Sequence, residues 1–220
     1  MYYNGVRFGS PFDFGANYNL TSNDMTLRGF RFLRLPDGFF SYLFQLPNLT
    51  LSFPFFKETS AAFIYPGRTI AEPMFGGVIA VFPFLWLLFR ARKVYPVLRQ
   101  KGLVTFALLP PVLALVVILA DTEMAGILWR YTGDFLLLLY LGAVLIFLAL
   151  LEDAKENERP RLLCFLVCTT FLTLLICLLI SLESSQYLVR SPESYCRLKG
   201  FYELRLRPLF YYWVHLRRLL

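Results

Sequence analysis

The sequence predicts an all-α membrane protein with about four transmembrane helices, an extracytoplasmic N-terminal segment and an interfacial C-terminal tail. Three observations predict it. Hydrophobic residues make up 57% of the 220 and charged residues only 17%, and the mean hydropathy is +0.56, too apolar for an ordinary soluble domain. Four stretches reach the roughly 17 to 25 apolar residues that a spanning helix needs. The cations, which give a net charge of +7, gather at the ends of those stretches rather than on a polar face, so they speak for topology and anionic lipid and exclude nucleic acid as the partner.

In chain order the predicted spans are Pro73–Phe89, Leu103–Ala120, Phe135–Leu151 and Leu162–Leu182. Pro110 and Pro111 fall in the middle of the second and predict a kink, because a proline removes a backbone donor and crowds the preceding turn. The spans divide the chain into an extracytoplasmic or interfacial segment over 1–72, a four-helix region over 73–182 and an extracytoplasmic or interfacial tail over 183–220. Orientation follows from the connections. The first holds Arg90, Arg92, Lys93, Arg99 and Lys101, and the third holds Lys155, Arg159 and Arg161, whereas the second holds Arg130 alone. That bias makes the first and third connections cytoplasmic and turns head and tail outward.

The head has no repeat. From Asp37, "DGFFSYLFQLPNLTLSFPFF" is aromatic but broken by Pro47 and Pro54, so it reads as an interfacial helix followed by extended chain. Asn19 and Asn48 each begin a match to the N-glycosylation pattern. The last 20 residues, "FYELRLRPLFYYWVHLRRLL", mix aromatics with Arg, as does a helix lying among lipid headgroups or packed on its own protein's outer surface.

Metal chemistry is not expected. Cys164, Cys168 and Cys177 lie inside one apolar run, Cys196 stands apart in the tail, and His215 has no second ligand near it in sequence. No nucleophile motif, phosphate-binding loop or dinucleotide fingerprint occurs. The spans contain no Asp, Glu, Lys, Arg or His between their flanks, which argues against a transporter or channel.

Three features bear on a site. Arg130, Tyr131 and Asp134 open the third span in "LWRYTGDF". As a site, Arg130 would clamp a lipid phosphate, with Tyr131 donating a hydrogen bond and Asp134 orienting the guanidinium. As an anchor, Trp129, Arg130 and Tyr131 are the residue types that collect where a helix meets headgroups. Asp13 and Asp24 sit in turn-rich sequence where a carboxylate bonds nearby amides. Arg28, Arg31 and Arg34 recur at a spacing that on a helix makes one basic stripe, facing either lipid phosphate or solvent.

The run "YNGVRFGSPFDFGANYNLTSNDMTLRGF" resembles a stretch of large bacterial multi-pass glycosyltransferases of the GT-C type, the polyprenyl-phosphate-sugar-dependent, mannosyltransferase-like proteins. "RYTGDFLLLLYLG" is similar to a block that opens a later helix in them, and "SPESYCRLKGFYEL" is similar to their C-terminal end. The resemblance spans most of the chain and implies a polyprenyl-phosphate sugar as donor and a cell-envelope acceptor. It also implies a catalytic carboxylate in an early extracytoplasmic loop that precedes the matched region. An outward head normally follows a signal peptide or membrane helix, so the expectation is the back part of a longer polytopic transferase, incomplete as an enzyme, or one whose N-terminal region a protein partner supplies. A non-catalytic membrane scaffold or assembly subunit is the alternative. The catalytic residues stay unassigned.

Overall fold

The computed structural model describes residues 2–11, 30–51, 53–59, 70–71, 74–124, 126–183 and 191–208. Helix dominates them. The turn-rich run from Phe12 to Gly29, with Asp13, Asp24, Asn19 and Arg28, lies outside the described residues, as do His215 and the chain beyond Pro208.

Three helices are long and apolar enough to cross a bilayer: α5 (Val104–Met124), α6 (Thr132–Asp153, entered through a 3-10 turn at Trp129–Tyr131) and α7 (Arg159–Glu183). Each is apolar around its whole circumference, which marks a helix covered on all sides by protein or lipid. α5 runs as one helix through Pro110 and Pro111. α6 is the axis of the bundle, burying Phe135, Leu139, Ala143 and Ile146, whereas α7 buries little beyond Thr169, Ile176 and Ile180.

The contact of α5 with α6 is made by small residues. Ala107 and Ala114 of α5 are fully buried, and α6 buries Gly142 and Ala143. A Cβ on Gly142 would overlap the ring of Pro111 and stand 2.9 Å from the Ala107 carbonyl. That carbonyl is the one whose helical donor Pro111 lacks. Small residues let two backbones approach this closely, and such packing holds helices together where lipid removes the hydrophobic drive.

The first predicted span, Pro73–Phe89, is not a continuous helix. Gly76 takes a positive φ of 121°; α3 (Val78–Val81) is a single turn; Phe82 breaks from helical geometry; a 3-10 helix follows over Pro83–Arg90 and runs into α4 (Ala91–Gln100). The break has a local cause. Pro83 has no N–H for the Ile79 carbonyl four residues earlier, and the Trp86 indole N–H donates to that carbonyl instead, at 2.9 Å. The Phe75 ring meets Trp129 at 5.5 Å, Phe84 stacks on Tyr140 at 5.7 Å and approaches Phe147, and Lys101 pairs with Glu152 at 2.6 Å. The chain from Phe75 to Lys101 therefore follows α6 from one end to the other. Two helical pieces and a 3-10 piece of these lengths cover about 37 Å, close to the roughly 35 Å between Trp129 and Glu152.

The head packs on one end of the bundle. α1 (Tyr2–Phe8) buries nothing. α2 (Arg34–Phe39) continues through a π-helical turn over Phe40–Phe44, after which the chain turns extended into an antiparallel pair, β1 (Asn48–Leu49) with β2 (Phe56–Lys57). Helix followed by extended chain is what the proline-broken aromatic run predicts. β3 (Ile70–Ala71) pairs in parallel with β4 (Gly126–Ile127) in the α5–α6 connection. Beyond α7, α8 (Pro192–Phe201) and a π-helical turn over Tyr202–Leu206 return to the head. There the Tyr202 hydroxyl donates to the Leu51 carbonyl at 2.9 Å, and its ring meets Phe55 edge-on at 4.5 Å.

Gly142→Val should lower stability by about 1–3 kcal/mol, the usual cost of overpacking, read as thermal unfolding in detergent. Gly133→Ala, where an added Cβ meets nothing within 4 Å, should change it by no more than about 0.5 kcal/mol. Equal behaviour of the two variants would refute the close approach of α5 to α6.

Candidate functional site

At the head end of the bundle the last turn of α5 and the first turn of α6 bring charged side chains to the apolar boundary. The last turn of α5 holds Asp121, Thr122 and Glu123, directly after its apolar run; Arg130 and Tyr131 lie in the 3-10 turn before α6, and Asp134 in the first turn of α6.

Glu123 is the best anchored of these. Its carboxylate accepts the Arg31 backbone N–H at 2.9 Å and lies 3.9 Å from the Arg34 guanidinium, with both side chains almost wholly buried. One residue away, Thr122 is fully buried where a Cβ on Gly38 would overlap it. Arg34 and Gly38 stand one turn apart on α2, so the helix lies flat on the end of α5. Of the predicted basic stripe Arg28 lies outside the described residues, and Arg31 and Arg34 do not share a helix face. α2 begins only at Arg34, Arg31 precedes it as an exposed residue, and Arg34 is turned inward to a carboxylate instead of outward to phosphate or solvent.

Tyr42 fastens the head a second time. Its hydroxyl donates to the Gly126 carbonyl at 2.9 Å and accepts the Leu128 N–H at 3.1 Å, and its ring meets Phe135 edge-on at 5.3 Å. These bonds satisfy backbone groups in the α5–α6 connection that burial would otherwise leave unpaired.

Arg130 and Tyr131 lie in the 3-10 turn that leads into α6, and Asp134 lies in the first turn of that helix. Arg130 is exposed, its guanidinium carbon 5.4 Å from the centre of the Tyr131 ring; Tyr131 is half-buried and Asp134 exposed. Trp129 below them packs on Phe75. Asp121, in the last turn of α5, has one carboxylate oxygen buried and without a hydrogen bond. Its position in "ADTE", at the end of an apolar run, is the sequence signal for it. The cluster thus offers a cation and a phenol stacked at the surface beside two carboxylates, a set able to hold an anionic group and to accept a proton from a neighbouring hydroxyl.

Among the described residues no group of three or more His, Cys, Asp and Glu is placed to hold a metal ion. The four cysteines are unpaired, and the Cys164 and Cys168 sulfurs lie 3.9 Å apart on one exposed face of α7. In the tail, Tyr195 meets Phe53 at 5.7 Å; burial first, and then the charge of Glu183, push its phenol above the ordinary range. No protein-family model matches the chain, and no curated protein or solved structure is significantly similar to it.

Glu123→Leu should destabilise the protein by about 3–5 kcal/mol, because it removes the carboxylate that faces the buried Arg34 guanidinium. Arg34→Met combined with Glu123→Leu should recover most of that loss, since a buried pair replaced by apolar residues is often neutral. A double variant as unstable as the single one would refute the pairing.

Proposed function

We propose that the chain is an integral membrane protein of four crossings, the first being the discontinuous stretch from Val78 to Gln100. Its head-end surface, on this reading, holds the phosphate of a polyprenyl-phosphate sugar for a glycosyltransferase of the bacterial cell envelope. The four-crossing reading is supported by the match in length between that stretch and α6, and by Tyr202 and Tyr195 of the tail meeting the head. A head and tail in contact imply an even number of crossings. The cations at Arg90–Lys101 and Lys155–Arg161 then fall at the other end of the bundle, the cytoplasmic one, so head and tail face outward.

The observation that carries the ligand is the exposed Arg130 on Tyr131, beside Asp134 and Asp121, at the level where a span emerges. A lipid phosphate resides at that depth, and an exposed guanidinium offers it paired donors. The chemical class of the ligand comes from the resemblance of "RYTGDFLLLLYLG" and the N-terminal block to polyprenyl-phosphate-dependent transferases. Arg130 binds the phosphate, Tyr131 donates to it and Asp134 orients the guanidinium. A scaffold that only presents its head to a protein partner is the second reading, and the use of Arg34, Glu123 and Tyr42 purely to fasten the head favours it.

Arg130→Ala in purified protein should weaken binding of undecaprenyl phosphate tenfold or more, on the order of the 1.5–3 kcal/mol of a charged hydrogen bond. Unchanged binding in the variant would reduce Arg130 to an interface anchor, and no binding by the parent protein would favour the scaffold.

A further inference from the structure

The stretch from Pro73 to Ala120 holds five cations, Arg90, Arg92, Lys93, Arg99 and Lys101, and no Asp or Glu. Burial fixes which way α4 presents them. Val94 and Leu98, buried almost completely, turn one face of the helix inwards. Arg92 and Arg99, two turns apart, lie on the face turned away, with Lys93 beside them, and all three are exposed. The acids nearest this helix, Glu152 and Asp153, close α6, and Glu152 is paired with Lys101 at 2.6 Å. Among the described residues no carboxylate pairs with Arg90, Arg92, Lys93 or Arg99. The neighbouring α6–α7 connection is different, because there Asp153, Glu156 and Glu158 offset Lys155, Arg159 and Arg161.

The same side of the chain carries aromatic rings. Trp86 and Phe89 stand three apart in the 3-10 helix, hence on one side of it, and are 52% and 67% exposed. Arg92 follows after three more residues and the exposed Tyr95 after another three. The Trp86 indole N–H is bonded to the Ile79 carbonyl, so what the ring leaves at the surface is its apolar body. Apolar rings followed along the chain by unpaired cations match the order of acyl chain and phosphate in a leaflet. An acidic protein or a free phosphate would leave Trp86 and Phe89 uncovered, and a zwitterionic lipid would bring a further cation to four already there. We propose that this face binds anionic phospholipid of the cytoplasmic leaflet, with Arg92, Lys93 and Arg99 on headgroup phosphates and Trp86 and Phe89 against the acyl chains. This inference rests on the membrane-embedded, four-crossing reading above and is independent of any ligand at Arg130.

The test uses the full chain purified in detergent and scored for bound lipid by native mass spectrometry. The probes are dioleoyl phosphatidylglycerol, dioleoyl phosphatidylcholine, inorganic phosphate and polyglutamate. Phosphatidylglycerol should bind in preference to phosphatidylcholine, and Arg92→Gln and Arg99→Gln should each weaken it about fivefold, the effect of one cation at a lipid surface. Phe89→Ser should weaken it too. Arg159→Gln, the same charge change in the charge-balanced connection, should leave it unchanged. Equal loss in Arg159→Gln would mean diffuse attraction and overturn the face, and equal binding of the two lipids would overturn its choice of an anion. Displacement of the lipid by inorganic phosphate, or a Phe89→Ser variant that binds as the parent does, would overturn the acyl contact. Polyglutamate outcompeting phosphatidylglycerol would overturn the lipid in favour of an acidic protein. Failure of the membrane reading has its own signature, release of the chain from membranes by alkaline carbonate.

Discussion

The approach of Gly142 to Pro111 and Ala107 is the contact on which the rest of the molecule depends. It brings α5 and α6 together at their middles, and everything at the head end follows from their relative position. Glu123 and Thr122 on α5 seat α2 through Arg34 and Gly38, while Phe135 on α6 receives Tyr42. The opposite face of α6 carries Tyr140 and Phe147, against which the 3-10 helix lays Phe84. A larger residue at 142 would separate the helices and pull on both sets of contacts.

Lipid explains what the chain leaves uncovered. α7 exposes Val167, Phe171, Leu174 and Leu178 while burying only a few residues, an arrangement suited to a bilayer and costly in water. The same solvent accounts for how backbone groups are treated. Where Pro83 removes a donor the Trp86 indole supplies one, and where Pro111 does so the freed carbonyl of Ala107 faces Gly142. α6 and α7 pack on the broken stretch through Tyr140, Phe147 and Phe165, which meet the Phe84 ring.

Much of this was legible in the residues. The three long helices follow from uninterrupted apolar length, and the helix-then-extended head follows from Pro47 and Pro54. The break in the first span escaped hydropathy because an average over a window ignores the backbone: Gly76, Gly77 and Pro83 carry no charge and barely lower the mean of their apolar neighbours, yet disrupt a helix. Arg34 escaped because periodicity cannot tell a cation facing solvent from one facing a carboxylate 89 positions along the chain. The placement of Arg130, Tyr131 and Asp134 near one helix start was readable because they are neighbours in sequence. Asp121 joins them only through the pairing of α5 with α6, a contact between residues distant in sequence.

The central claim is that the stretch from Val78 to Gln100 completes an even number of crossings, so that head and tail share one side of the membrane. Thiol accessibility tests it most directly. In a chain whose only cysteine is Cys196, an impermeant maleimide should label intact cells. In a chain whose only cysteine comes from Glu156→Cys, in the α6–α7 connection, it should label only after lysis. A position in the head, Asn48→Cys, should behave as Cys196 does. Labelling of Asn48→Cys and Cys196 from opposite sides would contradict the account, because it would leave three crossings and return the broken stretch to the surface.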